Sequence, residues 1–79
     1  MSRIEINPAI LLGKPIISGT RIPVELIVKL VVQRWTDQQI ILEYPMLKKE
    51  DIQEALSYAQ KLVQNEEVYP LLKQWLSSL

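Results

Sequence analysis

The sequence predicts a mainly α-helical fold with short amino-terminal β-strands, namely a tri-helical, winged helix-turn-helix followed by a carboxy-terminal helix. Three observations predict it. Short aliphatic fragments separated by glycine and proline occupy residues 4–17, two stretches of helical pattern meet at a tight turn near residue 35, and a longer helical pattern begins near Lys49. With 79 residues the chain has room for one core.

The first elements are short strands. Residues 3–6 alternate polar and apolar side chains and stop at Asn7-Pro8, which is typical of a strand ending in a turn. Residues 10–12 and Ile16-Ile17 are two further aliphatic fragments on either side of Gly13-Lys14-Pro15. Together they predict a small hairpin-like sheet, which must pack on helices because strands of this length are not stable alone.

The first helix is predicted from Val24 to about Gln33. Pro23 fits its first position and Glu25 complements the positive end of the helix dipole. Because the stretch is apolar almost all round, we expect either the central core helix or a subunit contact.

The second helix has a strong start signal. Thr36 is a good N-cap, and Gln39 three positions later completes a capping box, with Trp35 and Ile40 placed as a hydrophobic staple. The helix is predicted over residues 37–44, because a proline follows.

The third helix is predicted from near Lys49 to Gln64, with acidic residues in its first turn and apolar residues at helical spacing. We assign residues 1–66 to the helix-turn-helix domain and residues 67–79 to a helical extension packed on the same core or on a partner. The apolar stripe of that extension supplies the candidate partner or dimer contacts, which are Leu72, Trp75, Leu76 and Leu79.

Composition narrows the function. The chain contains no cysteine and no histidine, which removes disulfides, thiol nucleophiles, imidazole bases and the usual zinc sites. No acidic pair has a catalytic arrangement, so we expect no enzymatic activity, no cofactor and no metal. No stretch is long and apolar enough for a signal peptide or a membrane span, and we expect a cytoplasmic protein.

Charge is unevenly distributed although the formal net charge is zero. Residues 1–35 carry five cations and two anions, whereas residues 36–79 carry four cations and seven anions. A polyanion is therefore expected to meet the amino-terminal half, and a basic partner the carboxy-terminal half.

Three motifs resemble the domain of unknown function 433 family over about residues 4–64. They are Gly13-Lys14-Pro15-Ile16-Ile17-Ser18-Gly19-Thr20-Arg21-Ile22-Pro23-Val24, then Ile40-Ile41 with Tyr44-Pro45 and Leu47, then Asp51-Ile52 with Ala55-Leu56 and Tyr58-Ala59. The resemblance implies a VapB-type antitoxin-like, winged helix-turn-helix protein, a partner PIN-like nuclease toxin, and binding to operator DNA. It predicts nothing for the residues after Gln64. From the apolar helices we expect a homodimer that forms through the Val24 to Val32 helix and the carboxy-terminal helix.

The chain departs from that family pattern at two turn positions. Arg34 stands where the family usually has glycine, so we expect a turn of different shape, because the left-handed conformation costs a non-glycine residue roughly 1 kcal/mol. Lys48 stands where Ser or Thr is usual, so the third helix is expected to lack a side-chain cap worth ~1 kcal/mol.

Candidate DNA-binding residues combine the basic half with the second helix. They are Lys14, Arg21, Arg34, Gln38 and Gln39. Two of them have a structural alternative: for Gln39 it is closing the capping box, and for Arg21 it is an internal ion pair with Asp51 or Glu54. The rival function is a protein-binding or dimerisation module with no DNA binding, which the zero net charge and the acidic second helix favour.

Overall fold

Two short antiparallel strands open the described part of the chain, which in this computed structural model comprises residues 3–64. Strand β1 (Ile4–Ile6) pairs with strand β2 (Pro15–Ile17), so that Ile4 lies opposite Ile17. The predicted hairpin-like sheet is confirmed.

The connection between the strands corrects the expectation of a third strand fragment at residues 10–12. Leu11, Leu12 and Gly13 form a short 3₁₀ turn in which all three have positive φ, at 48°, 58° and 80°. The chain must reverse direction here, and amide hydrogen bonds from Gly13 to Ile10 and from Lys14 to Leu11 close the turn. Only the glycine takes this conformation freely, because the left-handed region costs each leucine about 1–2 kcal/mol.

Helix α1 (Val24–Val32) is the central core helix. Its residues Val24, Ile27, Val28 and Leu30 are buried within residues 3–64, chiefly against the third helix and β2. The alternative expectation, that its apolar surface is a subunit contact, is therefore wrong for these four side chains.

Helices α2 (Asp37–Glu43) and α3 (Lys49–Gln64) follow after short turns. Both begin at the predicted residues, and α2 ends one residue earlier than predicted because Tyr44 is its C-cap. Each buries one face, α2 at Ile40 and α3 at Ile52 and the alanines that follow it.

A single hydrophobic core joins β2 and the three helices. Its buried residues are Ile17, Ile22, Val24, Ile27, Val28, Leu30, Ile40, Leu47, Ile52, Ala55 and Ala59. The described chain is thus mainly helical, with two short amino-terminal strands and three helices around one core. This arrangement leaves the outer side of α2 and the loops at both ends of α1 open to solvent.

Candidate functional site

The loop that precedes α1 is held in one shape by its own hydrogen bonds. The Thr20 hydroxyl donates to the Ile17 carbonyl at 2.8 Å and accepts from the Ile22 amide at 3.0 Å, while the Ile17 amide donates to the Ile22 carbonyl at 2.9 Å. Gly19, at φ +79°, supplies the turn that this closure needs. Most of the motif over residues 13–24 is therefore scaffold, which leaves Lys14 and Arg21 as its exposed cations.

Lys14 lies beside the first turn of α1. Its ammonium donates to the Glu25 carboxylate at 2.6 Å, with the lysine side chain 47% exposed. An exposed cation with a carboxylate partner offers little net positive charge to a phosphate, so Lys14 is a weaker DNA candidate than its position in the sequence predicts.

Arg21 does not form either of the ion pairs considered for it. It is exposed and makes no ion pair with any residue between 3 and 64. Asp51 is paired instead with Arg3, at 2.9 Å. The structural alternative for Arg21 is thus wrong, and its guanidinium faces solvent at the amino end of α1.

Asp51 is the buried charge that sequence reasoning placed only as a first-turn acid. Its residue exposure is 6%, and its two carboxylate oxygens accept from the Arg3 guanidinium and from the Lys48 amide at 2.9 Å and 2.8 Å. The second bond satisfies the backbone amide just before α3, so the helix start has a side-chain partner although Lys48 itself provides none.

Arg34 adopts the left-handed conformation at the end of α1, as a glycine would. Its φ is +69°, its amide donates to the Val31 carbonyl, and the Trp35 amide donates to the Leu30 carbonyl. These two bonds form a Schellman motif, the usual glycine-terminated helix end. The expectation of a different turn is wrong, because the hydrogen bonds fix the left-handed conformation and the arginine accepts it.

The capping box at the start of α2 is confirmed. The Gln39 amide donates to the Thr36 hydroxyl at 3.1 Å, and the Thr36 amide donates to the Gln39 side-chain oxygen at 2.8 Å. Gln39 therefore has its structural role in this state. Gln38, its neighbour, is exposed and forms no side-chain hydrogen bond with the described residues.

The outer side of α2 is apolar as well as polar. Leu42, one turn beyond Gln38, is 84% exposed, and Met46, just after the helix, is 58% exposed. These side chains lie beside Glu43, which is also exposed. Leu42 and Met46 suit contact with a protein partner better than with a phosphate backbone, whereas Gln38 lies at the other end of the helix.

The five DNA candidates do not form one cluster. Lys14 and Arg21 lie at the amino end of α1, whereas Arg34 lies just past its carboxy end, with a nine-residue helix of about 14 Å between them. Arg34 is instead close in the chain to Gln38, since four residues connect α1 to α2. The structure therefore groups Arg34 with α2 and separates it from the loop cations.

Leu72, Trp75, Leu76 and Leu79 lie outside the described residues, as does the predicted helical extension. Between residues 3 and 64 no helix has both the length and the apolar character to cross a bilayer. Over the same range no three acidic side chains come together as a metal site would require.

Comparison with known proteins gives a family but no activity. The family described as "Protein of unknown function (DUF433)" matches residues 4–59. The crystal structure of a DUF433 member protein from Anabaena variabilis ATCC 29413 is 31% identical, with a TM-score of 0.75 over 92% of this chain and 70% of that one. No curated protein matches the chain.

Proposed function

This chain belongs to the DUF433 family, and from that membership we propose that it is an antitoxin-like regulator that binds operator DNA and a partner nuclease toxin. The partner is a PIN-like nuclease, as the family resemblance implies. The proposal places the DNA contact on α2 and the turn before it.

The observation that supports the proposed binding to operator DNA is the connection between α1 and α2. Four residues join the two helices, the length typical of helix-turn-helix units, and the turn presents an exposed Arg34 at the start of a helix with an exposed Gln38. An arginine there can bind phosphate while a glutamine pairs with an adenine edge.

The direct test is fluorescence anisotropy of the DNA upstream of the protein's own gene, titrated at low and physiological salt. Gln38→Ala is expected to weaken binding to that DNA about fivefold or more but to spare binding to random DNA, because a bidentate base contact is worth about 1–3 kcal/mol. Arg34→Ala is expected to weaken both. Lys61→Ala removes an exposed cation near the far end of α3 and serves as the matched control.

If the protein binds no DNA at any salt concentration, with or without the product of the neighbouring gene, the proposed DNA binding is contradicted. Equal loss in Gln38→Ala and Lys61→Ala places the DNA contact elsewhere than α2.

A second candidate, a protein-binding module that does not bind DNA, is favoured by the 84% exposure of Leu42 on the same helix. Co-purification with the neighbouring gene product, repeated with Leu42→Asn, tests it. Loss of the partner in that variant, together with no DNA binding by the wild type, supports the second candidate over the first.

A further inference from the structure

Gln38 and Leu42 share the side of α2 that points away from the core. At about 100° per residue in an α-helix, they lie about 40° apart around the axis, and the fully buried Ile40 lies on the opposite side. Leu42 is 84% exposed, and Gln38 is exposed as well. The outermost line of this short helix therefore presents one amide and, one turn further on, one aliphatic side chain.

The whole of α2 is short enough to lie in one major groove of DNA. Its seven residues span about 10 Å, and an α-helix with its side chains is about as wide as the groove, which measures about 12 Å. The Cβ atoms of helical residues four apart are about 6 Å from each other, whereas successive base pairs are about 3.4 Å apart. Gln38 and Leu42 consequently reach base pairs that are separated by no more than about two steps.

We propose that Leu42 is a second specificity-determining residue for DNA, packing on the 5-methyl group of a thymine within about two base pairs of the adenine that Gln38 binds. This inference rests on the proposed binding of operator DNA through α2. In the major groove the thymine methyl is the apolar group that marks a T·A pair, and apolar side chains bind it. Cytosine carries no methyl group at that position, so a leucine there favours thymine.

Leu42 is isolated on its helix. Within Asp37–Glu43, Ile40 is buried and Ile41 is half-buried, so Leu42 is the one strongly exposed apolar side chain of α2. The centre of a protein interface needs a larger continuous apolar area, whereas a single methyl group needs only one such side chain. The extent of the exposed apolar surface on α2 therefore fits a thymine methyl.

The charges around α2 are balanced. Residues 34–50 carry three cations and three acids, namely Arg34, Lys48 and Lys49 against Asp37, Glu43 and Glu50. Arg34 is exposed and makes no ion pair within residues 3–64, which provides a phosphate contact at the amino end of the helix. Glu43 lies about 140° around the axis from Gln38, so its carboxylate is off the line that faces the bases.

Replacement of thymine by deoxyuridine removes this methyl group alone and so tests the contact directly. The probe is the DNA upstream of the protein's own gene, prepared with thymine or with deoxyuridine, and binding of the full chain is followed by fluorescence anisotropy. We expect the wild type to bind the deoxyuridine DNA about threefold or more weakly, the change expected when one methyl group is no longer buried. Leu42→Ala is expected to bind both DNAs with similar affinity.

Two control variants separate the methyl contact from other effects. Met46→Ala removes another exposed apolar side chain, just beyond the helix, and is expected to keep the difference between the two DNAs. Gln38→Ala is expected to keep that difference too, while it loses the preference for adenine. Single deoxyuridine substitutions are expected to locate the thymine within about two base pairs of that adenine.

The possible outcomes distinguish this inference from the function on which it rests. If neither DNA is bound at any salt concentration, the proposed function and the inference both fail. If the wild type binds the two DNAs equally, or if Leu42→Ala shows the same difference as the wild type, only the inference is overturned. Loss of the neighbouring gene product in Leu42→Ala, with an unchanged difference between the DNAs, likewise overturns it and assigns Leu42 to a protein partner.

Discussion

Arg34 meets two demands at one position. Its backbone must take the left-handed conformation that ends α1, at φ +69°, while its exposed side chain is the cation closest in sequence to α2. Glycine would satisfy the first demand at lower cost, and only a basic residue satisfies the second. The arginine therefore gives up some stability for a positive charge at this turn.

Arg34→Gly is expected to raise the free energy of unfolding by about 0.5–1 kcal/mol, because the strain of a side chain at positive φ is removed. The gain is smaller than the full strain, since glycine also has more conformational freedom in the unfolded chain. Urea denaturation followed by circular dichroism measures it. Arg34→Ala is the matched control, which removes the charge but keeps the strained Cβ; equal stability of the two variants would falsify this account.

Asp51 joins the residue just before β1 to the last described helix. One carboxylate oxygen accepts from Arg3, 48 residues away in sequence, and the other accepts from the Lys48 amide. Local sequence pattern predicted the acid in the first turn of α3 but had no means of choosing among distant cations. Sequence pattern therefore offers Arg21 as a partner of Asp51, whereas the fold brings Arg3 to it.

Asp51→Ala is expected to lower the free energy of unfolding by about 2–3 kcal/mol, because a charge-assisted pair and a helix-start hydrogen bond are both lost at a buried position. Arg3→Ala is expected to cost less, at most about 1 kcal/mol, since its side chain is 42% exposed and the Lys48 bond remains. Thermal unfolding of the two variants and of the double variant gives the coupling energy. A larger loss of stability in Arg3→Ala than in Asp51→Ala would contradict the greater contribution assigned to Asp51.

At the scale of elements, the helix starts were predictable and the first loop was not. Thr36 and Gln39 mark the start of α2 by a local rule that the structure confirms. Leu11 and Leu12 gave a strand-like signal, yet they lie in a left-handed turn because β1 and β2 must pair across it. Aliphatic composition identifies apolar side chains but does not report a reversal of the chain.

Thr36→Ala is expected to destabilise the fold by about 1 kcal/mol, because the Gln39 amide loses its acceptor. Thr36→Ser keeps the hydroxyl and is expected to stay close to the wild type. Comparison of their urea midpoints measures the cap. If both variants lose the same stability, the hydroxyl does not cap α2.

Gln38 and Gln39 form a matched pair on the same helix for separating structure from recognition. Gln39→Ala is expected to lower stability by a few tenths of a kcal/mol, since it opens half of the capping box, and to leave DNA sequence preference unchanged. Gln38→Ala is expected to leave stability unchanged and to weaken the DNA sequence preference. Anisotropy on operator and random DNA, beside a thermal melt of each variant, distinguishes them; a changed sequence preference in Gln39→Ala would assign that residue to recognition.

At the scale of the whole molecule, internal ion pairs reduce the positive charge that is available to bind DNA. Arg3 and Lys14 are engaged with Asp51 and Glu25, so Arg21 and Arg34 are the candidate cations of the loop and turn without an ion-pair partner in the described residues. They lie at opposite ends of α1, which limits how many phosphates one copy neutralises. Charge counting identifies the basic half of the chain, but it cannot show which cations are already paired.

A shallow salt dependence follows for a DNA complex that forms through Arg21 and Arg34. With two cations contacting phosphate per copy, and two copies on the DNA, about four counterions are released and the slope of log K against log salt is expected near −3.6. Arg21→Ala and Arg34→Ala should each reduce that slope by about 1.8 in such a dimer, whereas Lys14→Ala should leave it nearly unchanged because Glu25 already neutralises the lysine. Anisotropy titrations at four or more salt concentrations measure all three. If Lys14→Ala reduces the slope as much as the two arginine variants do, DNA breaks the ion pair between Lys14 and Glu25. The DNA contact would then centre on the loop before α1 rather than on the turn before α2.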